Sequence, residues 1–215
     1  LQAAKDSGEF YTPRAVTDFV VEMLDPKLGQ TIFDPAAGTG GFLCSAIRYV
    51  KANYVRRGSS EDLDTLEQCI SGIEKKPLPT ILCMTNLIHH GMDDPRRVRR
   101  GNTLGKPISS YTEDDEYDII VTNPPYIPSN IYYNLDNQTL YDPKIALDGG
   151  EEGIIYYVKI LNYLKKVKFS GDIFFEIDPI INNNLEKFLL EKSIKIVYKK
   201  ADYQNLDRLI KITFP

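Results

Sequence analysis

The chain has 215 residues, 42% of them hydrophobic and 26% charged. That length suits one domain of ordinary size, and the apolar content supplies a core and excludes global disorder. A formal charge of -4 and a pI of about 5.3 exclude an overall basic footprint for nucleic acid, so any DNA contact needs a local patch or a partner subunit.

The imbalance is local. Residues 1–126 carry 14 basic and 18 acidic side chains, whereas residues 127–215 carry 12 of each. Cys44, Cys69 and Cys83 lack metal-like spacing and sit among apolar neighbours, so buried thiols are expected and no metal site is. There is no basic-then-apolar leader, no Arg-rich transit segment and no apolar run of membrane-spanning length. The expectation is a soluble, cytoplasmic protein without membrane association.

In chain order, Thr12-Pro13 opens a helix, with Thr as N-cap and Pro at the first helical position. Val16, Phe19, Val20 and Met23 recur at helical spacing until Pro26 and Gly29 stop them. Thr31–Asp34 reads as a strand, Gly38–Gly41 as a turn and Phe42–Val55 as a helix. Residues 56–66 read as a polar loop. Gln68–Ile73 is a second strand ending at Glu74, followed by a helix over Pro79–His90. Arg96–Gly101 leads into Asn102, and Tyr117–Thr122 is a further strand.

Residues 127–150 read as a long loop rich in Pro, Asn, Asp and Tyr. Helices are expected over Glu151–Lys166 and around Leu185–Glu191, and strands over Asp172–Ile177, Ile194–Tyr198 and Leu209–Phe214. Alternating strands and helices imply a parallel sheet covered on both faces. The last two strands have only the short link Lys199–Asp207 and must be antiparallel to each other, since a parallel crossover needs a dozen or more residues. With a third strand region before Asn102, the fold class is α/β, with a mostly parallel seven-stranded sheet and an antiparallel strand near the C-terminus. That is the Rossmann-like pattern of class I methyltransferases that use S-adenosylmethionine (SAM).

Ligands in such sheets sit beyond the carboxyl ends of strands. Gly38 and Gly40 allow close backbone approach and positive φ there. No Lys-Ser or Lys-Thr follows, so this is no P-loop, and Leu43 replaces the third glycine of a dinucleotide fingerprint. A glycine turn without a phosphate cradle suits SAM. Asp34 is placed to orient its ammonium, Glu74 to accept from ribose hydroxyls, and Asn102 to bond the adenine amine. Tyr11 and Thr12 are placed to flank the methionine part.

Asn123-Pro124-Pro125-Tyr126 ends the strand Tyr117–Thr122. An amino or amide nitrogen conjugated to a π-system is a weak nucleophile. The Asn123 side-chain carbonyl and the Pro124 backbone carbonyl can both accept from an NH₂ group, holding it and aiming its lone pair. The two prolines keep these acceptors rigid, and Tyr126 offers a flat face to a planar target. Asn123 is also expected to touch the cofactor. The alternative is a plain strand-ending turn.

Residues 8–126 resemble the modification subunit of type I restriction–modification systems, an N6-adenine DNA methyltransferase. The matching text is Gly8–Pro13, Asp34–Phe42, Gly72-Ile73-Glu74, Gly101–Leu104 and Asn123–Tyr126. The resemblance implies SAM contacts at Tyr11, Thr12, Pro13, Asp34, Pro35, Ala36, Gly38, Thr39, Gly40, Glu74 and Asn102. It implies catalytic, target-base contacts at Asn123, Pro124, Pro125 and Tyr126. Residues 123–215 resemble the release-factor glutamine methyltransferases, through Asn123–Pro128, Ala146–Gly153 and Asp207-Arg208-Leu209. Where that family has glycine after Phe175-Glu176, this chain has Ile177-Asp178.

The expectation is one methyltransferase domain over 1–215. Residues 1–126 form the cofactor half and 127–215 the acceptor half. The seam near 121–127 suggests a chimera, with a divergent natural family as the alternative. The first-choice activity is methylation of adenine N6 in DNA, reached through a separate specificity subunit. The alternatives are N5-methylation of a glutamine in a peptide chain release factor, and a SAM-binding scaffold without turnover. The arginines of Arg96–Arg100 can touch phosphate or form a solvated cluster offset by Glu113–Glu116. His89 and His90 are read as helix-end residues, and Tyr132, Tyr133 and Tyr141 as loop packing or an acceptor pocket.

Overall fold

The computed structural model describes residues 12–105, 107, 115–133, 144–202 and 204–214. Tyr11 and Tyr141 lie outside the described residues. The sheet has seven strands in the order β3-β2-β1-β4-β5-β7-β6. These are β1 Ile32–Asp34, β2 Ile70–Glu74, β3 Val98–Arg100, β4 Ile119–Thr122, β5 Gly171–Glu176, β6 Ile196–Ala201 and β7 Asp207–Phe214. As expected, β1 pairs in parallel with β2 and β4, and β2 with β3, while β6 and β7 are antiparallel.

The chain divides into two compact units, one of residues 12–122 with 170–174, the other mainly of 123–169 with 175–214. In the first, every residue of β1 and β4 is buried. Such runs, apolar without alternation, are what a strand covered on both faces requires. The covering helices of this unit are α1 Arg14–Leu24, α2 Gly41–Asn53, α3 Ser60–Cys69 and α4 Pro77–His89. Cys44, Cys69 and Cys83 are all buried free thiols.

Three local readings in this unit need correction: Gln68 and Cys69, read as the start of a strand, close α3 instead, and the strand runs Ile70–Glu74. Pro13, not Thr12, is the N-cap of α1; its carbonyl takes the amides of Val16 and Thr17 at 2.8 and 3.1 Å. Residues 56–66 are not all loop, because α3 begins at Ser60. The Ser59 Oγ accepts the Asp62 amide at 3.2 Å, and Asp62 in turn accepts from the Arg56 backbone and guanidinium. Only Leu66 and Cys69 supply buried apolar side chains, so a mostly polar composition hid a well-capped helix.

In the second unit, the described part of residues 127–150, read as a loop, holds the short helices α5 Ser129–Tyr132 and α6 Lys144–Leu147 and an isolated parallel bridge between Ile127 and Asp148. Helix α7 spans Ile155–Lys166 and buries Tyr157, Leu161 and Leu164, with Tyr157 stacked obliquely on Phe175 at 5.0 Å between centroids. Helix α8 spans Asn182–Glu191. The β6–β7 hairpin turns on Asp202, whose Oδ1 accepts the amides of Gln204 and Leu206 and whose Oδ2 accepts the Arg208 Nε–H.

Candidate functional site

The carboxyl ends of β1, β2 and β3 are tied together in the first unit. Gly38 and Gly40 hold φ of 55° and 85°, left-handed values that a Cβ disfavours. Each residue of the turn has a fastening. The Ala37 amide donates to the Ile73 carbonyl at 3.0 Å, and the Gly38 amide donates to Glu74 Oε2 at 3.0 Å. The Thr39 carbonyl accepts the Asn86 side-chain amide at 2.9 Å. A methyl group on Gly40 would stand 2.7 Å from the Cys83 sulfur, so α4 lies hard against the turn.

Glu74 closes the end of β2. Its second oxygen, Oε1, accepts the Lys76 amide at 2.7 Å. Each carboxylate oxygen keeps a further lone pair, so hydroxyl donors still have acceptors here. Beside it, the Gly101 amide donates to the Glu74 carbonyl at 2.9 Å, which carries Asn102 to this edge. Asn102 opens a one-turn helix whose Thr103 hydroxyl donates to the Pro35 carbonyl at 2.6 Å. Three separate loops therefore meet around Pro35, Gly38 and Glu74.

Asp34 is only 2% exposed, and its Oδ1 accepts the Ala36 amide at 3.0 Å. Burial is the main reason its carboxyl is pushed up to about 7; the Glu74 carboxylate adds to this, and the Ala36 amide works against it. Thr12 and Pro13 lie just before α1. The buried Thr17 of that helix would touch a methyl on Gly41 at 3.3 Å and shares a 2.8 Å hydrogen bond with Ser45. A glycine cradle, an inward carboxyl, an acidic strand end and a carboxamide fit SAM in their chemistry.

Sequence reasoning did not single out Asn86, and it read Cys83 only as a buried thiol and His90 only as a helix-end residue. Arg48, which bonds Asp18 and Ser45, reaches His90 Nε2 at 3.1 Å; arginine only donates, so Nε2 accepts and Nδ1–H donates to the Asn86 carbonyl at 2.8 Å. His90 is thus a helix-end residue, as expected, but one that joins a hydrogen-bonded chain reaching Thr39. The one available sequence signal was a carboxamide inside an apolar helix.

The second unit holds the Asn123–Tyr126 turn, which begins on the residue after β4. Pro124 is buried, and Asn123, Pro125 and Tyr126 are half-buried. Burial pushes the Tyr126 phenol up to about 12; Glu176 and Asp178 add to this, and Arg208 opposes it. The ring is therefore a neutral flat surface at physiological pH. Asp178 caps the turn Pro179–Ile181 and accepts from Arg208 at 2.6 Å.

Two of the four arginines in the run are ion-paired among the described residues. Arg96 is held by Asp94 and Arg99 by Asp115, both at 2.6 Å. Among the described residues no three His, Cys, Asp or Glu are grouped to hold a metal, and no helix is long and apolar enough to cross a membrane.

This sheet order, with its antiparallel β6–β7 pair and glycine turn after β1, defines a class I methyltransferase fold. Residues 1–171 match the family model for N-6 DNA methylases, and the chain belongs to that family. It is 56% identical over 126 residues to the type I restriction enzyme EcoEI methylase subunit of Escherichia coli, covering 59% of this chain and 25% of that protein. It is 27% identical over 199 residues to the release factor glutamine methyltransferase of Clostridium acetobutylicum, covering 91% of this chain and 63% of that one. Relatives from both resembled families are thus found. Among solved structures, a putative type I modification subunit from Vibrio vulnificus superimposes with a TM-score of 0.60 at 27% identity, over 99% of this chain and 46% of that one. The chain spans a quarter of the EcoEI subunit and under two thirds of the glutamine methyltransferase.

Proposed function

We propose that this chain is a SAM-dependent N-methyltransferase acting on a planar amino or amide nitrogen, with adenine N6 of DNA as its substrate. The observation that carries this reading is Asn123-Pro124-Pro125-Tyr126 set directly on the end of β4, in a chain whose family is N-6 DNA methylase. SAM supplies an electrophilic methyl group on a sulfonium. Gly38 and Gly40 give the backbone approach to it, Glu74 accepts from its ribose, Asn102 recognises its adenine, and Asp34 faces its ammonium directly or through water. Tyr11, Thr12 and Pro13 flank its methionine part.

On the acceptor side, Asn123 and the Pro124 carbonyl accept from the target NH₂ and orient its lone pair. Tyr126 stacks on the target's plane. No strong base is needed, because the methylated nitrogen becomes acidic and sheds its proton late. The net charge of -4 supports a separate specificity subunit as the source of most DNA affinity. Similarity to a glutamine methyltransferase over 91% of the chain supports a second reading, N5-methylation of a release-factor glutamine.

Labelled SAM with duplex DNA and, separately, with release factor separates the readings. Label on adenine N6, lost in Asn123→Ala by about a hundredfold or more, is the expected result. Label on protein alone ends the DNA reading. SAM binding by calorimetry with no label on either acceptor leaves a chimeric scaffold without turnover.

A further inference from the structure

We propose that Gly149 and Gly153 are positioning residues for the acceptor turn: the segment Leu147–Gly153 is a brace that fixes the carbonyls of Pro125 and Tyr126. The inference rests on the acceptor role given above to Asn123–Tyr126.

The brace is built of backbone. The Ile127 amide donates to the Leu147 carbonyl at 3.0 Å, the Gly149 amide donates back to the Ile127 carbonyl at 2.8 Å, and the Ser129 amide donates to the Gly150 carbonyl at 2.9 Å. Asp148 locks the register: its Oδ1 accepts the Ser129 hydroxyl at 2.6 Å and the Gly150 amide at 2.9 Å. Lys144 adds an ion pair to Asp148 at 3.4 Å. The segment thus runs as a one-bridge parallel partner to the residues just after Tyr126.

Its two glycines meet the turn itself. A methyl on Gly149 would stand 2.8 Å from the Pro125 carbonyl oxygen and 2.5 Å from that of Gly153. A methyl on Gly153 would stand 2.5 Å from the Tyr126 carbonyl oxygen and 2.6 Å from Ile181 Cγ2. The oxygens belong to backbone, so no side-chain rotation relieves the clash; one strand of the brace must move. Proline rings restrict the turn's φ angles but leave the peptide planes free to tilt. Contact at the Pro125 and Tyr126 carbonyls removes that freedom, and with it the freedom of the adjoining Pro124 carbonyl. Gly149 does not need left-handed φ, so its missing Cβ answers to proximity alone, whereas Gly153 at φ 76° answers to both.

Steady-state kinetics and SAM calorimetry on Gly149→Ala, Asp148→Ala, Asp148→Asn and Gly58→Ala test this. Gly58 has nothing near its missing Cβ, so it controls for exchanging a glycine without a clash; its φ of 78° makes that exchange the more strained of the two. Gly149→Ala is expected to lower kcat about tenfold or more while the SAM dissociation constant stays within about twofold. Asp148→Ala follows the same pattern, and Asp148→Asn, which keeps the acceptor oxygen, recovers most of the loss. Gly58→Ala turns over normally. Wild-type kcat in Gly149→Ala overturns the proposal, as does a loss of SAM affinity in parallel with kcat. If Gly149→Ala does not fold, the Asp148 pair decides. If the wild type methylates neither acceptor, the functional reading fails by itself, and ¹⁹F NMR of 3-fluorotyrosine at position 126 still tests the brace. Its resonance then shifts in Gly149→Ala and not in Gly58→Ala; an unmoved resonance overturns the inference.

Discussion

Asp34 shows what burial does to one functional group. An acid with a folded pKa of about 7 against an ordinary 3.8 binds an extra proton in the native state between those values. Stability from this group is present in full below pH 4, falls as pH rises towards 7 at up to about 1.4 kcal/mol per unit, and is flat above. Asp34→Asn keeps the acceptor for the Ala36 amide and removes the titration. Urea unfolding from pH 4.5 to 8 is expected to show the wild type losing stability relative to the variant across that window. Thr122, the last residue of β4, gives a second residue-scale test. Its hydroxyl is fully buried with no hydrogen-bond partner among the described residues. Thr122→Val is isosteric and is expected to raise stability by about 1 kcal/mol in the same assay.

At the scale of elements, α4 braces the glycine turn after β1. Cys83 presses on Gly40 and Asn86 holds the Thr39 carbonyl, one helical turn apart. Asn86→Ala removes that hydrogen bond and is expected to weaken SAM binding about five- to tenfold by calorimetry, with little change in melting temperature. The helix was legible in the sequence from its apolar content, and so were the strands ending at Asp34, Glu74 and Thr122. Its role as the floor of the turn was not, since Cys83 and Asn86 lie more than forty residues from the glycines they support. Helix α3 was hidden for the opposite reason: its start depends on a short-range cap at Ser59 and an Arg56–Asp62 clamp, while its apolar stripe is thin.

At the scale of the whole chain, the same helix presents an apolar outer face. Helix α4 contains no Asp, Glu, Lys or Arg, and Leu78, Ile81 and Ile88 are 55%, 60% and 55% exposed. Apolar surface of this kind promotes association. The double variant Leu78→Lys, Ile81→Glu is expected to bind less of a hydrophobic dye and to stay soluble at higher concentration, with its melting temperature nearly unchanged. The same contrast between near and distant residues divides what could be read from the chain. Sequence by itself determined the α/β alternation, the antiparallel closing pair and the residues that end three strands, because periodicity, turn residues and link length act over a few neighbours. Tertiary structure alone decided that Glu74 bonds Gly38, that Asn86 holds Thr39, and that Gly149 and Gly153 lie under the Pro125 and Tyr126 carbonyls. Those are steric and hydrogen-bonding relations between segments distant along the chain, and they exist only once packing has brought the backbones within van der Waals reach.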